Sequence, residues 1–347
     1  MSAQQLHLAV LPPGANGPAG PVGPVGLDGL TRLARTAEQG GFDFLLLPET
    51  APPGPEALTA LGALAAVTTR LGLAAAVDPA LHQPYDLARR LASLDHLSCG
   101  RAAWSVTAGS DGATAAGLRH GRLPADADRH AHATEFLHAA RVLWDSWAED
   151  DLPADPADGR FVRPGAGTFA HRGAHFDLAG RFTTPRPPQG HPVVVRTVAS
   201  PRDLAAAAAD AEVVVVPYSG LAGARALRED LAERLAAHGR SPGELRVLTA
   251  VNWLLGDTPS AARETTADVA GTPRQVADAL TAHVRGGGSD GFLLTPHPAA
   301  GPLDEFVDRV VPLLRAGGAH RTEYTGATLR DHLGLAKAHR PSRENAA

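Results

Sequence analysis

Residues 93–104, with the sequence SLDHLSCGRAAW, connect the end of one regular element to the start of the next. Apolar spacing over residues 85–97 predicts a helix, Cys99-Gly100 predicts a turn, and residues 101–107 predict a strand. Another strand–helix unit of similar length precedes this segment, and the same alternation runs through most of the chain. Repeated units of this kind specify a parallel sheet covered by helices.

Eight strand candidates are each followed by a helix candidate. We expect the strands at residues 6–11, 44–47, 71–77, 101–107, 193–198, 212–216, 245–255 and 292–295. This number favours an α/β fold of the TIM (β/α)8 barrel type over an open doubly wound sheet. No GxGxxG or GxxxxGK[ST] fingerprint follows a strand, which disfavours the Rossmann and nucleoside-triphosphatase alternatives further.

Two segments depart from the alternation. Residues 150–190 are rich in Pro, Gly and Asp and predict an insertion between the fourth helix and the fifth strand. Short extended pieces near Phe161 and Phe176 indicate that this insertion is a hairpin. The charged tail at about residues 319–347 is expected to pack as a C-terminal arm on the surface or on a partner. With these additions we predict one domain over residues 1–347.

Composition narrows the class of protein. The formal charge is −5 and the pI is about 6.3. Because nucleic-acid binding requires a basic stripe, we expect no nucleic-acid partner. No apolar run is long enough to span a bilayer and no signal peptide is recognisable, so we predict a cytoplasmic protein without a membrane segment. The one cysteine, Cys99, cannot form an internal disulfide. In a barrel it would also lie at the end remote from chemistry, which disfavours a nucleophilic role.

Candidate functional residues follow the carboxyl ends of the predicted strands, where TIM barrels build their active sites. These positions hold Glu49, Asp78, Ser105, Thr107, Arg196, Thr197, Tyr218, Asn252, Thr295 and His297. Glu49 is equally compatible with a general base and with a surface carboxylate. Ser200-Pro201 begins a helix and is either an ordinary cap or an anion site. His82 and His297 lack the local spacing of metal ligands, so we predict no metal site.

Several segments together resemble a known family. They are SLDHLSCGRAAW, LHQPYDLARR, ATEFLHAARVLWDSW, HRGAHFDLAGRFTTPRPPQGHPVVV, GTPRQVADAL and HRTEYTGATLRDHLGL. The chain resembles the bacterial luciferase-like flavin monooxygenases, in the branch of the nitrilotriacetate, dibenzothiophene-sulfone and long-chain alkane monooxygenases. The likeness extends from about residue 27 to residue 335.

This resemblance implies a TIM barrel with a flavin at the carboxyl ends of the strands. It implies an FMN-linked monooxygenase, in which a separate reductase supplies reduced FMN and dioxygen oxidises a small organic substrate. It also implies a homodimer. The residues that we expect to contact the cofactor on the basis of this resemblance are Glu49, Ser105, His130, Arg196 and Ser200. No catalytic base is singled out.

The chain departs from the family at several of these positions. Glu49 stands where the family commonly has Asp, Ser105 follows Trp104 where Asn is usual, and His130 replaces a phosphate-contacting Tyr. A phosphate-binding Gly-Ser pair corresponds to residues 198–200, and the charge of Arg196 could replace a lost contact. Two alternatives therefore stay open. One is a catalytically silent barrel that acts as a binding or scaffold subunit, and the other is a deazaflavin-dependent oxidoreductase.

Overall fold

The structure is a computed structural model. It describes residues 5–12, 26–49, 55–107, 124–125, 128–148, 150–152, 159, 161–257, 266–296 and 300–338. Its strands are β1 (His7–Val10), β2 (Phe44–Pro48), β3 (Gly72–Val77), β4 (Ala102–Val106), β5 (Thr168–Arg172), β6 (Asp177–Arg181), β7 (Val193–Thr197), β8 (Val213–Pro217), β9 (Arg246–Leu255), β10 (Val269–Gly271) and β11 (Gly291–Pro296).

Eight of these strands form a closed parallel barrel. Their order is β1, β2, β3, β4, β7, β8, β9 and β11, and β11 pairs with β1 to close the ring. Every pairing around the ring is parallel. The predicted TIM-type barrel is therefore confirmed. The short strand β10 pairs beside β9 and was not predicted.

Helices follow the barrel strands and cover their outer faces. They are α1 (Leu27–Gly40), α2 (Ala57–Ala65), α3 (Pro84–Leu97), α4 (Arg129–Asp145), α5 (Pro201–Asp210), α6 (Gly220–Ala237), α7 (Pro273–Arg285), α8 (Leu303–Arg309) and α9 (Val311–Ala316). A further helix, α10 (Leu329–Leu333), follows them in the chain. The predicted last barrel helix is divided at Val310 into α8 and α9. Within the described residues, no helix combines the length and the apolar character needed to cross a bilayer.

The insertion contains the predicted hairpin, with different bounds. Strands β5 and β6 pair antiparallel across residues 168–181. Phe176 immediately precedes β6, as expected, but Phe161 lies in a bend and its side chain is exposed. The hairpin packs on the barrel because the Tyr85 ring contacts the rings of Phe169 and Phe182.

The described part of the C-terminal segment is more deeply packed than a surface arm. Leu329, Leu333 and Leu335 join the side chains that fill the barrel interior. Arg330 is 3% exposed and forms a bidentate ion pair with Glu212, which precedes β8. Amphipathic residues 329–335 thus close the amino-terminal end of the barrel, because that end exposes apolar side chains that need a cover.

The SLDHLSCGRAAW segment performs a structural role at this same end. Asp95 accepts hydrogen bonds from the Ala102 N–H and from the backbone and side-chain amides of Gln189. The turn that follows requires Gly100, whose φ is +88° and where a Cβ would lie 2.8 Å from Thr328. The Gly100 carbonyl oxygen accepts from the Leu329 N–H. The segment therefore joins α3 to β4 and also anchors the C-terminal plug.

His332 makes the stability of this plug dependent on pH. The side chain is buried, and neither ring nitrogen has a hydrogen-bond partner among the described residues. Burial lowers the pKa of His332 from 6.5 to about 4. Between these values the unfolded chain binds a proton that the folded chain excludes. His332 therefore does not lower the free energy of unfolding at pH values well above 6.5. As the pH decreases from 6.5 toward 4, it lowers the free energy of unfolding by about 1.4 kcal/mol per pH unit.

We expect His332→Phe to remove about 2 kcal/mol of the stability loss that the wild type shows between pH 6.5 and 5. Urea unfolding of both proteins at the two pH values measures this difference. Burial also lowers the pKa of His320 to about 4. Because His320 is present in both proteins, its effect on the pH dependence cancels in the comparison. Equal pH dependence in the two proteins would contradict the assignment to His332.

Candidate active site

Among the described residues, inward-facing side chains become more exposed toward the carboxyl-terminal end of the barrel. Ala74, Ala103 and Val193 fill the barrel interior and are completely buried. Further along the strands, on the same inward face, Ala76 is half-buried and Thr197 is exposed. Pro217 and Asn252 are exposed at the corresponding ends of β8 and β9. We call this end of the barrel, where Ala76, Ser105, Thr197, Pro217 and Asn252 lie on the inward face, the barrel mouth.

Ser105 lies just inside the barrel mouth. It shares the inward face of β4 with Ala103 and sits in register with Ala76 on β3 and Val195 on β7. The residue is 1% exposed, and its hydroxyl has no hydrogen-bond partner within the described part of the chain. A buried hydroxyl without a partner costs free energy. This hydroxyl therefore has a hydrogen-bonding capacity that no described residue uses.

Glu49 lies at the rim of the mouth, directly after β2. Its Oε1 is 2.6 Å from His82 Nε2, and its Oε2 accepts a hydrogen bond from the Asp78 N–H. The Asp78 carboxylate in turn accepts from the Ala80 N–H and begins a short 3₁₀ turn. Glu49 thus connects the ends of β2 and β3. The two side chains of the Glu49–His82 pair are 17% and 16% exposed, so the pair remains in contact with solvent.

His130 and Ser200 meet at the first turn of α5. His130 Nε2 lies 2.8 Å from Asp203 Oδ1, and Ser200 Oγ donates to Asp203 Oδ2 at 2.8 Å. Asp203 Oδ2 also accepts from the Ala199 N–H at 3.1 Å. Burial alone would raise the pKa of Asp203, but the hydrogen bonds from His130, Ser200 and Ala199 outweigh it and lower that pKa.

Arg196 does not point into the mouth. It alternates with the inward-facing Val195, so it lies on the helix-facing side of β7. Its Nε and Nη2 donate to the two carboxylate oxygens of Asp210, both at 2.6 Å, and the side chain is 4% exposed. The structure therefore places Arg196 in a buried ion pair with Asp210 on the side of β7 that faces the helices.

The structure brings Glu49 and Ser105 to the mouth, brings His130 and Ser200 together at α5, and separates Arg196 from both. Asp203 was not predicted as a site residue. Its spacing of three residues after Ser200 indicates a helix cap, and nothing in the spacing indicates contact with α4. His297 lies outside the described residues. No group of three or more potential metal ligands occurs in the part of the chain that the structure describes.

The sequence model of the luciferase-like monooxygenases matches residues 6–291. This chain belongs to that family. Dibenzothiophene-sulfone monooxygenase of Rhodococcus erythropolis is 32% identical over 86% of this chain and 88% of the relative. Nitrilotriacetate monooxygenase component A of Aminobacter aminovorans is 31% identical over 81% of this chain and 79% of the relative. The solved structure of a riboflavin lyase has the same fold, with a TM-score of 0.86 at 24% identity over 96% of both chains.

The luciferase-like family is one of flavin-dependent monooxygenases, so the residues at the mouth are tested against a flavin. The isoalloxazine ring has a matching hydrogen-bonding group at the mouth, because the buried Ser105 hydroxyl has no partner among the described residues. The phosphate of FMN fits the donors at the start of α5 poorly. The donors that converge at α5 already bind the carboxylate of Asp203.

Proposed function

We propose that this chain is the oxygenase component of a flavin-dependent monooxygenase that acts on a small organic substrate. Family membership supports the reaction class, and the position of the barrel mouth at the carboxyl ends of the strands supports the location of the site. The observation that carries the proposal is the unpartnered Ser105 hydroxyl inside that mouth. A reduced flavin, when bound, would supply the electrons for dioxygen activation. The protein residues would position the ring and exclude water.

The proposed cofactor is reduced flavin, with FMN as the form that the resemblance implies. Ser105 would hydrogen-bond the ring system from below. Glu49 would contact the ring from the rim, where its carboxylate is held by His82 and the Asp78 N–H. His130 and Ser200 would face the ribityl phosphate end. We leave Arg196 out of this set because Asp210 binds its guanidinium.

We further propose that a separate reductase supplies the reduced flavin and that the oxygenase forms a homodimer. One relative is named component A of its monooxygenase, and two others are named subunits A and B of pristinamycin IIA synthase. These names support a multicomponent enzyme. The cytoplasmic location stays a prediction from the sequence.

A catalytically silent barrel is the second candidate. The observation that favours it is the carboxylate of Asp203 among the donors to which a flavin phosphate would bind. A silent subunit would bind no reduced flavin or would bind it without turnover. A deazaflavin-dependent oxidoreductase is distinguished by comparing the binding of the two cofactors.

Oxygen labelling tests the proposed reaction. The full chain, a flavin reductase, NADH and flavin are incubated under ¹⁸O₂ with dibenzothiophene sulfone, nitrilotriacetate and a long-chain alkane. We expect one ¹⁸O atom in the product of at least one compound, and none without this chain. Absence of reduced-flavin binding, together with absence of incorporation into all three compounds, would favour the silent subunit.

A further inference from the structure

The start of α5 contains a set of hydrogen-bond donors of the kind that binds an anion. It lies directly after a barrel strand at the carboxyl end, and helix N-termini attract negative charge. The donors are the Ala199 N–H, the Ser200 hydroxyl and the His130 ring, which reaches in from α4. A helix cap alone would not require a donor from another helix.

In this chain the anion bound by that set belongs to the protein. Both carboxylate oxygens of Asp203 accept hydrogen bonds, Oδ1 from the His130 ring and Oδ2 from Ser200 and Ala199. The carboxylate side chain is 23% exposed, so it remains largely enclosed by these partners. The carboxylate is ionised at neutral pH, as an aspartate ordinarily is, and its hydrogen bonds lower its pKa further.

A flavin phosphate and this carboxylate exclude one another. A phosphate would require the same three donors, and two anions at hydrogen-bond range of one set of donors repel strongly. Riboflavin has the same ring and ribityl chain but carries no phosphate. It would therefore leave the Asp203 contacts intact.

Resting on the function proposed above, we propose that Asp203 takes the place of the cofactor phosphate. Asp203 is then the residue that sets cofactor selectivity, and the chain binds reduced riboflavin about as tightly as reduced FMN. The chemical class of ligand is accordingly a reduced isoalloxazine with an uncharged ribityl end. Removal of the Asp203 charge frees Ser200, His130 and Ala199 to bind a phosphate.

Anaerobic titration of the full chain with reduced FMN and reduced riboflavin tests this proposal. We expect the two dissociation constants of the wild type to agree within about threefold. The Asp203→Asn and Asp203→Ser variants should bind reduced FMN at least about tenfold more tightly than the wild type does. Their dissociation constants for reduced riboflavin should equal that of the wild type. Asp86→Asn is the matched control, because it removes an equal charge from the first turn of α3. It should change neither constant.

Each outcome decides a different statement. A wild type that prefers FMN over riboflavin by tenfold or more overturns the role of Asp203 and leaves the proposed function standing. Asp203 variants that fold, by circular dichroism, and gain no affinity for FMN also overturn it. Absence of binding of either flavin to wild type and variants overturns the proposed function, and the selectivity proposal with it. Should both variants unfold, the ratio of the wild-type constants alone decides.

Discussion

Replacement of Asp95 by alanine is expected to lower the free energy of unfolding by about 3–5 kcal/mol. Asp95 is completely buried, and it accepts from the Ala102 N–H at 3.0 Å and from the Gln189 side chain at 2.6 Å. The Gln189 N–H donates to it as well, at 3.1 Å. The variant would leave three buried donors unpaired, each at a cost of about 1–3 kcal/mol. Urea unfolding followed by tryptophan fluorescence measures the change.

The matched control for this variant lies on the same helix. Asp86→Ala removes an aspartate whose side chain is 63% exposed and whose distance to Arg90 is 3.9 Å. We expect a loss below about 1 kcal/mol. Asp95→Asn should retain part of the stability, because an amide oxygen can still accept from the Ala102 N–H. Equal losses for Asp95→Ala and Asp86→Ala would contradict the anchoring role of Asp95.

Ser105→Leu is expected to weaken the binding of reduced flavin by about 100-fold or more while the barrel still folds. A leucine side chain at this inward position would fill the space in which we place the isoalloxazine ring. Ser105→Ala removes only one hydrogen bond, so we expect about 3- to 10-fold weaker binding. Its stability should match or exceed that of the wild type, because the lost hydroxyl has no partner in the described structure. Anaerobic titration gives the dissociation constants, and thermal unfolding monitors the fold.

Thr249→Val controls for loss of a buried hydroxyl. Thr249 is also buried with a side-chain oxygen that lacks a partner among the described residues. It alternates with the inward-facing Leu248 on β9, so it faces the helices. We expect flavin binding within about twofold of the wild type. A Ser105→Leu protein that binds flavin normally would show that the ring lies elsewhere.

The barrel could be predicted from the sequence because each strand and each helix has a local sequence pattern, and the strand–helix pattern repeats along the chain. Residues 44–47 and 213–216 are continuous apolar runs, which is how strands buried on both faces are recognised. Helices such as α7 carry their own start signal, since Thr272-Pro273 supplies the cap and the first helical residue. Eight consecutive strand–helix units favour a parallel sheet that closes into a barrel.

The candidate site was predicted only in part, because its contacts join distant parts of the chain. Ser105 and Glu49 follow from the rule that functional groups lie at the carboxyl ends of strands. The pair of His130 with Asp203 crosses 73 residues, and a single sequence carries no signal for it. The orientation of Arg196 depends on alternation along β7, which reverses if the strand is displaced by one residue. The position of the plug at residues 329–335 could not be predicted either. Its helix has only five residues, which is too short to show a helical periodicity in the sequence.

We place a reduced flavin in the barrel mouth, with its ring against Ser105. A crystal structure of the full chain, grown anaerobically with reduced riboflavin and with reduced FMN, tests this placement. We expect an isoalloxazine ring in the mouth with a polar ring atom within hydrogen-bond distance of Ser105 Oγ, and Asp203 still bound to His130 in the riboflavin complex. A flavin outside the mouth, or a mouth filled by side chains in every crystal, would contradict it.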